Sequence, residues 1–191
     1  MEKRRMLLVM GMLLWSFSFP IGTRSKYYRE SRGGFDLKEK VSHLHFYVFD
    51  MLSGDKPSAV EVAHSNSSVG AKSATPFGHV YAMDDPLKEG PYENSKVVGN
   101  AQGLYLSSSQ DEKSITLMVL ADFAFSTGKF KGSSISIFSR NPVSERKREV
   151  AVVGGRGKFR MARGFARLRT HYLNPTNGNA IVEYNVTVLH Y

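Results

Sequence analysis

The sequence predicts an all-β fold, an eight-stranded antiparallel β-barrel, and three observations predict it. Beyond residue 40 apolar and polar residues alternate with period two almost everywhere. Clusters of Gly, Pro, Asn, Asp and Ser break that alternation at the spacing of hairpins and loops. Nowhere do apolar residues recur at three and four for as much as four turns, so no helix is long enough to cover a sheet.

Taken in order, the first strand shows the pattern best: Leu44, Phe46, Val48 and Asp50 share one face, and His45, Tyr47 and Phe49 the other. Further strands are expected over 59–64, 78–83, 97–106, 115–126, 132–138, 160–171 and 180–190. Ser53-Gly54-Asp55-Lys56-Pro57, Glu89-Gly90-Pro91, Asn141-Pro142 and the run from Asn174 to Asn179 mark turns between them. A barrel is favoured over a sandwich by small residues on inward faces. Ala101, Gly103 and Tyr105 form one such row and Gly164, Ala166, Leu168 and Thr170 another, while Arg163, Phe165, Arg167 and Arg169 point outward.

The chain has 191 residues, 41% of them hydrophobic, and 12 Phe and 9 Tyr give it material for a real core. It has no cysteine, which excludes disulfides, thiol catalysis and Cys-ligated metals. Lys3, Arg4 and Arg5 precede an apolar run from Met6 to Trp15 that is too short to span a bilayer. Residues 1–22 therefore read as a signal peptide, cut between Gly22 and Ser25, followed by a basic leader over 23–40 and one domain over 41–191. Secretion, with no membrane span in the mature form, gives meaning to two sequons, at Asn66 and Asn185. The net charge of +9 points to an anionic environment; in a secreted protein this is cell-surface or wall polysaccharide, or simply solvent, with Arg163, Arg167 and Arg169 as the face a polysaccharide would meet, and no nucleic-acid partner is expected.

Several catalytic signatures are absent. Gly154-Gly155-Arg156-Gly157-Lys158 resembles a phosphate loop, but Val152 and Phe159 occupy its first-glycine and Ser/Thr positions, so it reads as a tight turn. His43 and His45 share a strand face without a third ligand nearby, and no metal or other cofactor is expected. What remains is a carboxyl group, Asp50, in register with an apolar row. It is either a proton-handling acid in a cavity or the cap of the turn at Ser53 and Gly54. Tyr105 and Thr170 bring hydroxyls to inward rows by the same parity.

These segments together resemble a known family. His45 to Asp50, Phe77-Gly78 with Met83 to Leu87, Gly99 to Tyr105, Arg140 to Val143, Val152 to Gly164 and Val182 to Tyr191, in that order, are similar to the plant dirigent proteins. The resemblance implies the dirigent and allene oxide cyclase-like barrel, secretion to the apoplast or cell wall, and homo-oligomers, with a trimer expected. It also implies a function in lignan and phenylpropanoid biosynthesis. Such proteins orient phenoxy radicals of monolignols such as coniferyl alcohol, supplied by a separate laccase-type oxidase, so that coupling gives one stereoisomer. They do not oxidise the substrate, so no independent enzymatic activity is expected.

Carried onto this chain, the resemblance implies Asp50 as the pocket acid, Arg148 as its charge partner or substrate clamp, and Tyr105 and Thr170 as hydrogen-bond donors to phenol or quinone oxygens. The second pocket carboxylate of lignan-forming members falls on Asn141, an amide that cannot exchange a proton as that acid would. Two alternatives stand beside radical coupling. One is an enzyme on the same barrel that closes a ring or removes water from a phenolic substrate, in the manner of pterocarpan-forming relatives; the other is a basic wall-polysaccharide-binding protein.

Overall fold

In the computed structural model the described residues are Tyr27, 37–111 and 113–191, so the expected signal peptide and nearly all of the leader lie outside them. Nine strands follow in chain order: β1 (Lys40–Asp50), β2 (Ala59–Ala63), β3 (Val80–Lys88), β4 (Val97–Ser107), β5 (Leu117–Phe125), β6 (Ser134–Asn141), β7 (Arg148–Arg156), β8 (Arg163–Leu173) and β9 (Ala180–His190). Neighbours are antiparallel throughout, in the order β1-β9-β8-β7-β6-β5-β4-β3. β1 then pairs with β3 through Tyr47↔Lys88 and Val48↔Leu87, so eight strands close into a barrel. Closure leaves those eight without a free edge.

The strand count agrees with the sequence reading, but one member differs. β2, expected as a stave, adds to the outside of the closure, pairing only with β3. β7 was not expected, because Val150, Ala151, Val152 and Val153 are apolar on both faces and hide the period, and Gly154 to Lys158 read as a turn. In the structure Arg148, Val150 and Val152 point inward while Glu149, Ala151 and Val153 point outward. The turn does exist, as a single 3-10 turn at Gly157–Phe159 immediately after β7.

Aromatic side chains fill one end of the barrel. Phe46 stacks on Tyr184 at 5.8 Å and meets Phe123 and Phe125 edge-on, while Phe130 and Phe159 close that end with centroids 4.6 Å apart. Each ring removes roughly 150–250 Å² from water, so this plug anchors the core. Glycine is required where the wall tightens: a Cβ on Gly103 would stand 2.1 Å from the Leu120 carbonyl oxygen across the β4–β5 ladder. Phe49 is buried although it faces outward, and the Lys88 ammonium lies 4.2 Å above its ring.

The other end is less filled. β6 and β7 pair only from Ser134↔Arg156 to Ile137↔Val152, so the hairpin parts toward Asn141 and Arg148. There the Arg148 Nε donates to Asn141 Oδ1 at 2.8 Å, a side-chain link where the ladder has ended.

Candidate functional site

A cavity of about 170 Å³ occupies this end of the barrel. Val48, Met83, Leu117, Val119, Val143 and Val182 supply its apolar wall, and Ala74, Thr75, Pro175 and Gly178 lie at its mouth. Two side-chain-to-backbone bonds tie down the 74–75 segment: the Tyr81 hydroxyl donates to the Ala74 carbonyl at 3.1 Å and Ser107 Oγ to that of Thr75 at 2.9 Å.

Every pocket residue expected from the sequence lines this one cavity: Asp50, Tyr105, Asn141, Arg148 and Thr170. Asp50 ends β1, one alternation beyond Val48, and the Tyr105 hydroxyl donates to its Oδ1 at 3.3 Å. The capping alternative is not what the structure contains. Ser53 instead binds Asn179, its N–H and hydroxyl both donating to Oδ1. Burial pushes the Asp50 carboxyl up to about 7, with the Tyr105 hydrogen bond pulling the other way. Burial is also the first cause that raises the Tyr105 phenol, followed by the charges of Asp50 and Asp85.

Arg148 does not pair with Asp50. Besides its bond to Asn141, its Nη1 donates to the Glu145 carbonyl at 3.2 Å, and burial lowers the guanidinium from its usual value. The expected charge partnership is therefore replaced by an Arg148–Asn141 link that fixes both side chains at the cavity wall. Thr170 sits at a register shift between β8 and β9, where Thr170↔Val182 is followed by Tyr172↔Ile181.

The cavity holds one acid that is not among the residues expected from the sequence. Asp85 is fully buried and lines the same cavity. Its signal is present, since Tyr81, Met83, Asp85 and Leu87 alternate inward on β3, but the strand expected over 78–83 stops short of it. Pro86 is tolerated because β3 changes partner there, from β2 up to Met83 to β1 at Leu87. The neighbouring Asp84 N–H donates to the Ser58 carbonyl outside any strand, and Pro86 needs no donor in the gap that follows.

Outside the barrel, Arg163, Arg167 and Arg169 are exposed as expected, yet all three are engaged within the chain. Arg163 bonds Glu39 and the Tyr191 hydroxyl, Arg169 donates to Glu183 at 2.9 Å, and Arg167 lies over the Phe165 ring. His45 also binds Glu183, at 2.9 Å, and His43 meets the Thr187 hydroxyl. Among the described residues no group of three His, Cys, Asp or Glu side chains could hold a metal ion. No described helix is long and apolar enough to cross a membrane. Asn66 and Asn185 are both exposed, Asn185 on the outward face of β9.

Comparison with known proteins gives a consistent result. The profile of the Dirigent-like protein family matches residues 41–189. Dirigent protein 15 of Arabidopsis thaliana is 48% identical over 167 residues, covering 86% of this chain and 88% of that protein. Pterocarpan synthase 1 of Glycyrrhiza echinata is 52% identical over 155 residues, covering 81% of this chain and 80% of its own. The solved structure of the pterocarpan synthase dirigent protein GePTS1 superposes with a TM-score of 0.74 at 48% identity, over 83% of this chain and 89% of that one.

Proposed function

Because the chain belongs to the dirigent-like protein family, we propose that it fixes the stereochemistry of a C–O ring closure in a single phenolic substrate, with Asp50 moving the proton. The observation that carries this reading is the ionisable Asp50 carboxyl, bound by the Tyr105 phenol, inside a cavity whose wall is largely apolar. A carboxyl poised near 7 can take a proton from an attacking phenol and give it back, which is the work of a general acid–base group. Orientation does the rest, since holding the phenol oxygen against one face of the reacting carbon decides which enantiomer forms.

Cavity size favours closure within one molecule. About 170 Å³ lies below the ~300 Å³ at which pockets for drug-sized ligands begin, and suits one aromatic ring with its substituent. The likeness to pterocarpan synthases and the amide at Asn141 point the same way. The test is incubation with a racemic phenolic alcohol able to close with loss of water, without oxidant. Product in enantiomeric excess supports the reading; no turnover overturns it.

A second reading keeps the radical-coupling function. A laccase-type oxidase would supply monolignol radicals, and the apolar wall would hold one phenoxyl while the mouth admits another. Chiral analysis of coniferyl alcohol coupling products, with oxidase and with or without the protein, distinguishes it. Secretion to the wall and glycosylation at the exposed Asn66 and Asn185 belong to either reading. So does homo-oligomerisation. Val60, Ala82, Leu104, Leu120 and Phe138 are successive ladder partners that make one apolar row across the outer wall, a surface suited to a second copy.

A further inference from the structure

We propose that Asp85 is the second acid of the cavity, a neutral carboxyl group that works with Asp50 as a donor–acceptor pair. This rests on the ring-closure reading above and supplies what Asn141 cannot.

The surroundings of Asp85 carry the inference, beginning with Ser58. Its Oγ lies 2.6 Å from Asp85 Oδ1 and 3.0 Å from the Phe49 carbonyl oxygen, and it accepts from the Met51 N–H at 2.9 Å. Its one hydrogen faces two acceptors, Asp85 Oδ1 and the more distant Phe49 carbonyl. The 2.6 Å contact satisfies Asp85 Oδ1 from the Ser58 hydroxyl and leaves the other carboxyl oxygen to be accounted for. The remaining oxygen, Oδ2, is buried without a hydrogen-bond partner in a residue that is 0% exposed and lines the cavity. No ion pair among the described residues includes Asp85, and an unpaired carboxylate buried this deeply is strongly disfavoured against its neutral form.

The surrounding groups agree. Asp50 approaches from β1, Tyr105 from β4, Arg148 from β7 and Tyr184 from β9, with Asp84 next along β3 on the outer face. Arg148, the cation among them, is already bound to Asn141 and the Glu145 carbonyl. Burial first, then the charge of Asp50, pushes Asp85 up to about 9; Ser58 opposes this and Asp84 adds to it. Asp50, at about 7, is thus the first of the two to lose its proton.

The step balances without oxidant. Neutral Asp85 gives its proton to the substrate's leaving hydroxyl, the C–O bond breaks and water departs. The phenol oxygen forms the new C–O bond to that carbon, and its proton passes to the Asp50 carboxylate. Return of that proton from Asp50 to Asp85 restores the pair, and the substrate has lost one water.

Infrared spectroscopy in the carboxylic-acid C=O region tests this at about pH 8, between the two values, with coniferyl alcohol as the phenolic probe. A buried-acid band should be present in the wild type, persist in Asp50→Asn, vanish in Asp85→Asn, and shift when the probe is added. Absence of the band from the wild type, survival in Asp85→Asn, or indifference to the probe would overturn the proposal. If Asp85→Asn does not fold, persistence of the band in Asp50→Asn and its shift with the probe still decide it. The readout needs no turnover, so failure of the ring-closure reading is seen separately, as absence of product.

Discussion

The Tyr105 hydroxyl donates to Asp50 at 3.3 Å and so joins β4 to β1, two strands that share no ladder bond because β3 runs between them. It is also the hydrogen bond that opposes the effect of burial on Asp50. In Tyr105→Phe that opposition is gone, and the Asp50 carboxyl rises further. A hydrogen bond to a charged group is worth about 1.5–3 kcal/mol, so the acid limb of the pH–rate profile should move up by roughly one to two units. An unshifted limb would show that Asp50 is not the group titrating in the reaction.

Stability should fall as pH rises. Asp50 and Asp85 both sit above their unfolded value, so the folded protein holds protons that the unfolded chain has released. That contribution is complete below about pH 4, declines as pH climbs through about 7 for Asp50, and is lost through about 9 for Asp85. Glu183 acts in the opposite sense: its hydrogen bond from His45, first, and then Arg169 hold it below the usual value, so its contribution is lost only in strong acid. Thermal unfolding from pH 5 to 9 should show a falling midpoint in the wild type and a flatter one in Asp50→Asn and Asp85→Asn. A midpoint that climbs over this range contradicts the assigned directions.

Asn141→Asp places a carboxylate against Arg148 Nε, where the amide oxygen now accepts at 2.8 Å. The bond becomes charge-assisted, so the fold should be kept, with a stability change of about 1–2 kcal/mol. It also gives the cavity a further ionisable group. If the amide is what separates this chain from lignan-forming relatives, the variant should gain stereoselectivity in laccase-driven coupling of coniferyl alcohol. Racemic products identical to the protein-free control would remove Asn141 as the determinant.

Gly103→Ala forces a methyl group against the β5 backbone, 2.1 Å from the Leu120 carbonyl oxygen. Backbone in a closed barrel yields little, so a loss of about 2–3 kcal/mol is expected, at the upper end for an overpacked interior. Denaturant unfolding measures it. A loss below about 0.5 kcal/mol would mean that the β4–β5 wall is looser than described.

Much of this site could be read from residue order. Parity alone placed Asp50, Tyr105 and Thr170 on inward rows, because β1, β4 and β8 alternate cleanly. It failed where alternation is masked or interrupted. Val150 to Val153 are apolar on both faces and concealed β7, and the strand expected over 78–83 ends before Asp85, ahead of a proline that a ladder tolerates only where its partner changes. The Arg148–Asn141 bond was not legible because it depends on the β6–β7 hairpin parting, a consequence of where the ladder stops. Closure through β1 and β3, which makes β2 an outer strand, is likewise a property of the whole barrel and not of any segment.

The most direct measurement is chiral chromatography of the ring-closed product formed from a racemic phenolic alcohol, without oxidant, by the wild type and by Asp50→Asn. The expected result is one enantiomer in excess from the wild type, with a rate at least about 100-fold lower in the variant, which stays folded. Equal rates and equal enantiomeric excess from the two proteins would contradict the role given to Asp50 and, with it, the reading of the cavity as a proton-transfer site.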